Sequence, residues 1–198
     1  MALVAYTAIN QSRFLSSQSI RDILLNTAIL AVLASGMAVV VITRHIDLSV
    51  GSVLGLSAFA VATVMQHNQD LPMVAALALG LGIGAVAGVV NGALVHFGNV
   101  PALVVTLGTM YAYRGLTYSW AGGQQVTADE VPRHFLRFAN SDLLGVPWLV
   151  IIALAVIAGV GVMMRNYRIG RELYAMGSSP QAADWPASRS RGTRWSRS

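Results

Sequence analysis

The sequence of 198 residues contains no cysteine. Disulfide bonds, thiol chemistry and cysteine-based metal sites are therefore excluded. The four histidines lie far apart and lack the spacing of metal ligands; they are His45, His67, His96 and His134. We therefore predict that the chain holds no metal ion and that its histidines lie near the ends of apolar segments.

Charge is scarce as well. Charged residues make up 11% of the chain, against about 25% in an average soluble domain. The apolar residues, 55% of the total, occur in long runs that approach or exceed the roughly 20 residues a helix needs to cross a bilayer. This pattern predicts an all-α fold, a polytopic bundle of transmembrane helices in a lipid membrane.

Lysine is also absent, so all 13 basic residues are arginine and the net charge is +5. Several arginines lie in the last ten residues, and most of the others lie near the ends of apolar runs, where topology signals occur. We therefore predict no nucleic-acid partner.

The apolar runs predict about five full spans, at residues 23–43, 48–66, 72–97, 102–120 and 146–164. Pro72 is expected in the first turn of the third span. Residues 121–145 form a mixed loop. Residues 1–9 are apolar but lack the basic start and cleavage site of a signal peptide, so we interpret them as the remnant of a first helix.

The basic cluster of Arg165, Arg168 and Arg171 follows the last span and predicts a cytoplasmic end there. Counting back through five spans places residues 44–45 on the same side and the loop 121–145 outside. The arginines of that loop run against the rule.

Glycines on the third span are spaced by four, at Gly84, Gly88 and Gly92. Small residues at this spacing allow two helix backbones to approach closely in lipid. The face predicts either simple close packing or a central helix against which other helices slide.

Several polar residues lie within or beside the spans, where they are costly. Asp47 or Ser49 is expected to cap the start of the second span, or else to belong with Ser52 to a conduction path or gate. Asn91, Thr106 and Thr109 are expected either to line a polar path or to make interhelical hydrogen bonds.

Arg114 lies within the fourth span, with Tyr111, Tyr113 and Tyr118 near it. It should face protein or water, because snorkelling carries it only part of the way to the membrane surface. Two interpretations remain open: a contact to a sugar substrate, or a structural tie to a helix-end carbonyl or a carboxylate.

No catalytic constellation is present. The sequence lacks HExxH, GxSxG, paired carboxylates on one helix face and a phosphate-cradling loop. We therefore predict that the chain is not an enzyme, holds no cofactor and does not hydrolyse ATP itself.

Four collinear segments resemble the monosaccharide permeases of ABC importers, a family related to the branched-chain amino-acid permeases. The segments run from about residue 20 to residue 183, and Ser179 stands where the family pattern has asparagine. They are Gly36-Met37 with Thr43-Arg44-His45-Ile46-Asp47-Leu48-Ser49-Val50-Gly51-Ser52, Asn91-Gly92 with Val100-Pro101, Val105-Thr106-Leu107-Gly108-Thr109 with Tyr113-Arg114-Gly115, and Gly170-Arg171 with Tyr174-Ala175-Met176-Gly177-Ser178-Ser179-Pro180-Gln181-Ala182-Ala183.

This resemblance implies a permease subunit of an ATP-driven sugar importer in the bacterial inner membrane. It implies a second permease subunit, cytoplasmic ABC ATPase subunits and a periplasmic sugar-binding protein as partners. Residues 170–183 would couple to the ATPase, and the loop 121–145 would meet the binding protein. The coupling candidates are Gly170, Arg171, Gly177, Ala182 and Ala183. His45 and Asp70-Leu71-Pro72 resemble the rhamnose-like branch.

After Ala183 the chain changes character and becomes rich in arginine and serine. We therefore divide it into a partial permease domain, residues 1–183, and a disordered tail, residues 184–198. If one lost base is restored before Asp184, the shifted reading frame must encode leucine and alanine at its second and third codons. The other codons permit Arg-Leu-Ala-Gly-Ile-Pro, which is how the family continues. The hypothesis is a frameshift, which predicts a chain that does not transport on its own.

Two other functions stay open. If the chain is half of an ion-coupled secondary transporter, uptake should not depend on an ATPase. The sequence contains no second copy of the segment 46–52 that would mark an inverted repeat. A membrane scaffold or relic without transport predicts that neighbouring ATPase and binding-protein genes are missing.

Overall fold

The computed structural model describes residues 16–178 of the chain. Within this range it contains seven α-helices, one 3-10 helix and one β-hairpin. In chain order the elements are α1 (Ser17–Ile42), α2 (Val50–His67), α3 (Met73–Gly98), α4 (Ala102–Ala121), the 3-10 helix (Ala128–Glu130), α5 (Arg133–Ala139), β1 (Asp142–Leu143), β2 (Val146–Pro147), α6 (Trp148–Asn166) and α7 (Arg168–Ser178).

The predicted all-α transmembrane bundle is confirmed. Four helices, α1, α2, α3 and α6, are long and apolar enough to cross a membrane. Helix α4 coincides with the remaining predicted span, but it is less apolar because it carries Arg114, three tyrosines and three threonines. The predicted count of five spans is therefore confirmed only in part.

The helix starts differ from the predicted ones by up to six residues. Helix α1 begins early because the side-chain oxygen of Ser16 accepts a hydrogen bond from the backbone N–H of Ser19 at 3.2 Å. The prediction for Pro72 was one position too far inside α3. Pro72 is instead the extended N-cap residue, and its carbonyl accepts the N–H of Ala75 at 2.9 Å.

The helices form two closely packed groups. Helix α2 packs against α3 and α4, while α1 packs against α6, and α7 contacts both α6 and α1. The buried apolar residues are mostly small, among them Ala60, Ala76 and Ala153. Most large apolar side chains lie on the outside, as expected where lipid or further helices are the surroundings.

The glycine face of α3 does not pack closely within the described chain. A Cβ atom placed on Gly84, Gly88 or Gly92 would meet no atom within 4 Å. Only Gly80, one turn earlier, lies near another helix, where such an atom would be 3.5 Å from Val61 of α2. Residues 16–178 therefore do not make the predicted close helix contact at these three glycines.

The region 121–145 is more ordered than the mixed loop that the sequence predicted. The 3-10 helix is held against the end of α2, because Gln66 Nε2 donates to Glu130 Oε1 at 2.9 Å and Gln69 Nε2 donates to the Glu130 carbonyl at 2.7 Å. Glu130 Oε2 also accepts the backbone N–H of Thr127 at 2.8 Å. The hydrogen bonds to the carboxylate, from the Thr127 backbone first and then from the side chains of Thr127 and Gln66, lower the pKa of the Glu130 carboxyl.

The hairpin is joined to the start of α1 at the same end of the bundle. Arg21 Nη1 forms an ion pair with Asp142 Oδ2 at 2.7 Å, and Arg21 Nη2 donates to the Asn140 carbonyl at 2.6 Å. The first and last spans of the described chain are thereby joined by polar contacts at this end.

Helix α7 lies at the opposite end and depends on two glycines. Gly170 and Gly177 are seven residues apart, which places them on one face of the helix. A Cβ atom on Gly170 would overlap the backbone of Met164, and one on Gly177 would overlap the carbonyl oxygen of Ile42. Only glycine allows α7 to approach the ends of α6 and α1 this closely.

Several predictions concern residues outside the described range. These are the remnant helix at residues 1–9, the coupling candidates Ala182 and Ala183, and the tail 184–198 with its frameshift. They stay predictions.

We expect Gly177→Ala to weaken the docking of α7. Moving backbone to admit the methyl group costs about 1–3 kcal/mol, more than the gain of up to ~1 kcal/mol in helix propensity. Gly161→Ala is the matched control, because its methyl group would enter open space. Melting temperatures in detergent and protease cleavage of α7 measure the difference. Equal melting and cleavage in the two variants would contradict the proposed close contact.

Candidate functional site

The loop between α1 and α2 carries most of the predicted site residues. It begins with a tight turn, in which Arg44 has a φ of 61° and donates its N–H to the Val41 carbonyl at 2.9 Å. This left-handed conformation is uncommon outside glycine. The turn directs the chain back toward the bundle, so that residues 46–49 pass beside α3 and α4.

Asp47 organises the entry into α2. Its Oδ1 atom accepts the backbone N–H of Ser49 at 2.7 Å and the Ser49 hydroxyl at 2.6 Å. Ser49 is the N-cap residue of α2, but its own side chain does not cap the helix. Of the two predicted caps, Asp47 is therefore the residue whose side chain accepts a backbone N–H at this helix start. That N–H belongs to Ser49, the residue directly before the first turn.

Ser49 also connects this loop to α3. Asn91 Nδ2 donates to the Ser49 hydroxyl oxygen at 2.7 Å, and both residues are buried, Ser49 with 0% of its surface exposed. The hydroxyl of Tyr113 on α4 donates to the Ala87 carbonyl at 3.3 Å and makes a longer contact with Asn91 Oδ1 at 3.5 Å. One hydrogen-bonded cluster thus joins the loop, α3 and α4.

The three remaining hydroxyl candidates have different partners. Thr106 is buried, and its hydroxyl donates to the Ile46 carbonyl of the loop at 3.3 Å. Ser52 and Thr109 donate within their own helices, to the carbonyls of Ser49 at 2.7 Å and of Thr106 at 3.4 Å. The structure therefore brings Asp47, Ser49, Asn91 and Thr106 into one place, while Ser52 and Thr109 lie beside it.

The cluster is closed to a ligand in this conformation. Its buried side-chain polar atoms all have hydrogen-bond partners, as do the other buried side-chain polar atoms among residues 16–178. Each bond removes the cost of an unsatisfied polar group in an apolar interior. Of the two interpretations of Asn91 and Thr106, the geometry favours interhelical hydrogen bonding.

Arg114 lies apart from the cluster. Its side chain is exposed and makes neither a hydrogen bond nor an ion pair with any described residue. The structural tie that the sequence left open is thus absent from residues 16–178. Tyr111 and Tyr118 are exposed at 64% and 69%, and their spacing from Arg114 puts the three residues on one stripe of α4.

The described coupling candidates lie on α7. Gly170 and Gly177 are buried where the helix contacts α6 and α1. Arg171 Nη1 donates to the Asn166 carbonyl at 3.2 Å, which helps to satisfy the end of α6. Arg44 Nη2 reaches the Ser178 carbonyl at 3.4 Å. The loop carrying the Asp47 cluster and helix α7 therefore lie at one end of the bundle.

Sequence reasoning missed the role of Tyr113. It was considered only as an aromatic neighbour of Arg114, although its hydroxyl points toward α3. The available signal was the spacing of four residues between Thr109 and Tyr113, which places them on the same side of α4 and away from Arg114.

We expect Asn91→Ala to destabilise the chain by about 1–3 kcal/mol, because the interhelical hydrogen bond is lost from a buried site. Asn26→Ala is the matched control, since the Asn26 side chain is exposed and donates only to the Asp22 carbonyl of its own helix. Thermal unfolding in detergent should separate the variants by several degrees. A control variant that melts as low as Asn91→Ala would show that the cluster has no special role.

Comparison with known proteins supplies the family. The sequence profile of the family described as the permease component of branched-chain amino acid transport systems matches residues 19–196. The autoinducer 2 import system permease protein LsrC of Enterobacter sp. (strain 638) is 37% identical over 171 residues, which are 86% of this chain and 48% of the relative. LsrC of Shigella flexneri is 35% identical over 174 residues, covering 86% of this chain and 49% of the relative.

The permease protein LsrD of Enterobacter sp. (strain 638) is 34% identical over 162 residues, covering 80% of this chain and 49% of the relative. No solved structure matches. The chain spans about half the length of the curated relatives it matches. Because the family profile covers most of the chain, this multi-pass membrane protein belongs to the family of permease components of branched-chain amino acid transport systems.

Proposed function

We propose that the chain contributes part of the translocation path of an ATP-driven importer for a small, sugar-like molecule. The observation that carries the proposal is the match to autoinducer 2 import permeases over 86% of the chain. The absence of a phosphate-cradling loop in this sequence fits a subunit that relies on a separate ATPase. The rhamnose-like branch stays a prediction.

Helix α7 is the proposed contact to the ATPase. Its inner face is fixed by Gly170 and Gly177, while Ile169, Tyr174 and Met176 remain exposed at 43–58% on the two flanks of that face. Exposed apolar residues between charged ones are typical of a surface that binds another protein. Because α7 packs on the ends of α1 and α6, a displacement of α7 by the ATPase would be transmitted directly to both spans. Ala182 and Ala183 would continue this contact.

The stripe of Tyr111, Arg114 and Tyr118 is the proposed lining of the path. A guanidinium group within a span requires water or polar protein around it, and here the described chain supplies no partner. Arginine and tyrosine side chains donate hydrogen bonds of the kind that sugar hydroxyls accept. The Asp47 cluster, with Ser49, Ser52, Asn91, Thr106 and Thr109 in or beside it, would hold the start of α2 next to this path.

The proposed location is the bacterial inner membrane. The arginines at Arg165, Arg168 and Arg171 favour a cytoplasmic position for the α7 end. The region 121–145 would then face the periplasm and a sugar-binding protein. A second permease subunit would complete the path, and the protein would not be an enzyme.

A chimera tests this function. Residues 19–178 would replace the matching part of LsrC from Enterobacter sp. in a strain that lacks its own LsrC. We expect restored uptake of autoinducer 2 that depends on the ATPase subunit and resists a protonophore. Arg114→Gln should lower uptake roughly tenfold, because it removes the charged hydrogen-bond donor that is proposed to contact the solute in the path. Asn26→Ala is the control, because that polar side chain is exposed on α1, donates only to a carbonyl of its own helix and has no part in the proposed path.

Two outcomes would contradict the proposal. A chimera that inserts into the membrane at the level of LsrC but supports no uptake would argue against a permease role. Uptake that collapses with the proton gradient and persists without the ATPase would favour the ion-coupled alternative. The 198-residue chain, expressed alone, is predicted not to restore uptake.

A further inference from the structure

A second group of polar residues lies at the end of the bundle opposite α7. A cleft of about 490 Å³ opens there between the end of α2, the end of α4 and the region before α5. Its volume falls within the range of small-molecule sites. None of its lining residues belongs to the Asp47 cluster or to the Arg114 stripe.

Two aromatic rings form one wall of the cleft. Phe59 and Trp120 meet edge to face, with ring centroids 5.5 Å apart and planes 85° apart. Half of the Trp120 surface nevertheless remains exposed. An exposed indole offers a flat apolar surface and a donor N–H, and that N–H has no hydrogen-bond partner among the described residues.

The rest of the lining carries amides and one carboxylate. Glu130 is fixed by hydrogen bonds from Gln66 and Thr127, so its oxygens are held in position before any ligand arrives. The side-chain amides of Gln124 and Gln125 make no hydrogen bond within residues 16–178, which leaves both donors and acceptors open. Fixed acceptors beside open amides form a preorganised polar surface.

The charge of the cleft selects among ligands. Its lining contains no arginine, and its one carboxylate would repel an anion. The His67 ring is already engaged, since Nδ1 contacts the Thr63 carbonyl at 2.8 Å. A neutral molecule with several hydroxyl groups fits best: its apolar C–H face can pack on Trp120, and its hydroxyls can donate to Glu130 and exchange hydrogen bonds with the amides.

We propose that this cleft binds a neutral monosaccharide or similar small polyol at the mouth of the bundle, before it enters the path. The proposal rests on the proposed function for the direction of transport, but the binding itself does not. Trp120 would supply the stacking surface, and Gln66, Gln124, Gln125 and Glu130 would supply the polar contacts.

The test uses the full 198-residue chain in nanodiscs of phosphatidylcholine, which carries no sugar headgroup. Saturation-transfer NMR would be recorded with D-ribose, L-rhamnose and D-xylose, and with ribose 5-phosphate as an anionic comparator. We expect saturable transfer to at least one neutral sugar and none to ribose 5-phosphate. Trp120→Ala should weaken binding roughly five- to tenfold, and Trp120→Phe should restore most of it.

Gln124→Ala combined with Gln125→Ala provides a second variant that leaves the aromatic wall intact, and it should also weaken binding. Trp148→Phe is the matched control, because that ring stacks on Phe138 outside the cleft. Helix content and monodispersity confirm that each variant is folded. No saturable transfer to any sugar, or equal transfer in wild type, Trp120→Ala and the glutamine double variant, would overturn the proposal.

The two proposals fail separately. Uptake by the chimera without sugar binding in the cleft would remove only this inference. Binding that follows the expected variant pattern, together with a chimera that inserts but does not transport, would retain the cleft and remove the permease function.

Discussion

The organisation of this chain depends on one constraint: a polar group in an apolar bundle must find its partner inside the protein. The start of α2 meets this constraint through Asp47, whose Oδ1 accepts both the N–H and the hydroxyl of Ser49. The Ser49 oxygen then accepts from Asn91. Because each step satisfies the group before it, the loop between α1 and α2 has one favoured position against α3. The tight turn at Arg44 and the contact of that loop with α4 both follow from this position.

At the same end of the bundle, helix α7 is positioned mainly by close packing of its backbone against α6 and α1. Gly170 and Gly177 bring α7 against the ends of α6 and α1, so the helix is placed by the lack of side chains. The glycines of α3 behave differently, since Gly84, Gly88 and Gly92 have open space before them within the described chain. Glycines that share one face of a helix therefore have two structural outcomes in this chain. The difference lies in whether another backbone is directed to that face.

The sequence was sufficient for the features that depend on long apolar runs and on single residues. It predicted the helical bundle, the positions of the spans to within six residues, and Asp47 as a residue at the start of α2. It did not predict which polar groups would meet, because Ser49 and Asn91 are 42 residues apart and only the packing of α2 on α3 brings them together. It also missed the 3-10 helix, α5 and the hairpin of region 121–145. These short elements depend on tertiary contacts such as Gln66 to Glu130 and Arg21 to Asp142, which local pattern does not reveal.

The polar side chains of the described chain divide by whether their hydrogen bonds are already made. In the Asp47 cluster the serine, asparagine and threonine groups are both paired and buried, and a buried paired group has little to offer a ligand, because a new bond must replace an existing one. On the Arg114 stripe, and at Trp120, Gln124 and Gln125, donors remain open and the side chains are exposed. A ligand that binds there gains hydrogen bonds without breaking any within the protein. Different residues would then hold the helices together and contact a solute. Such a division requires that paired groups and open groups occur at neighbouring positions of the chain, as they do here.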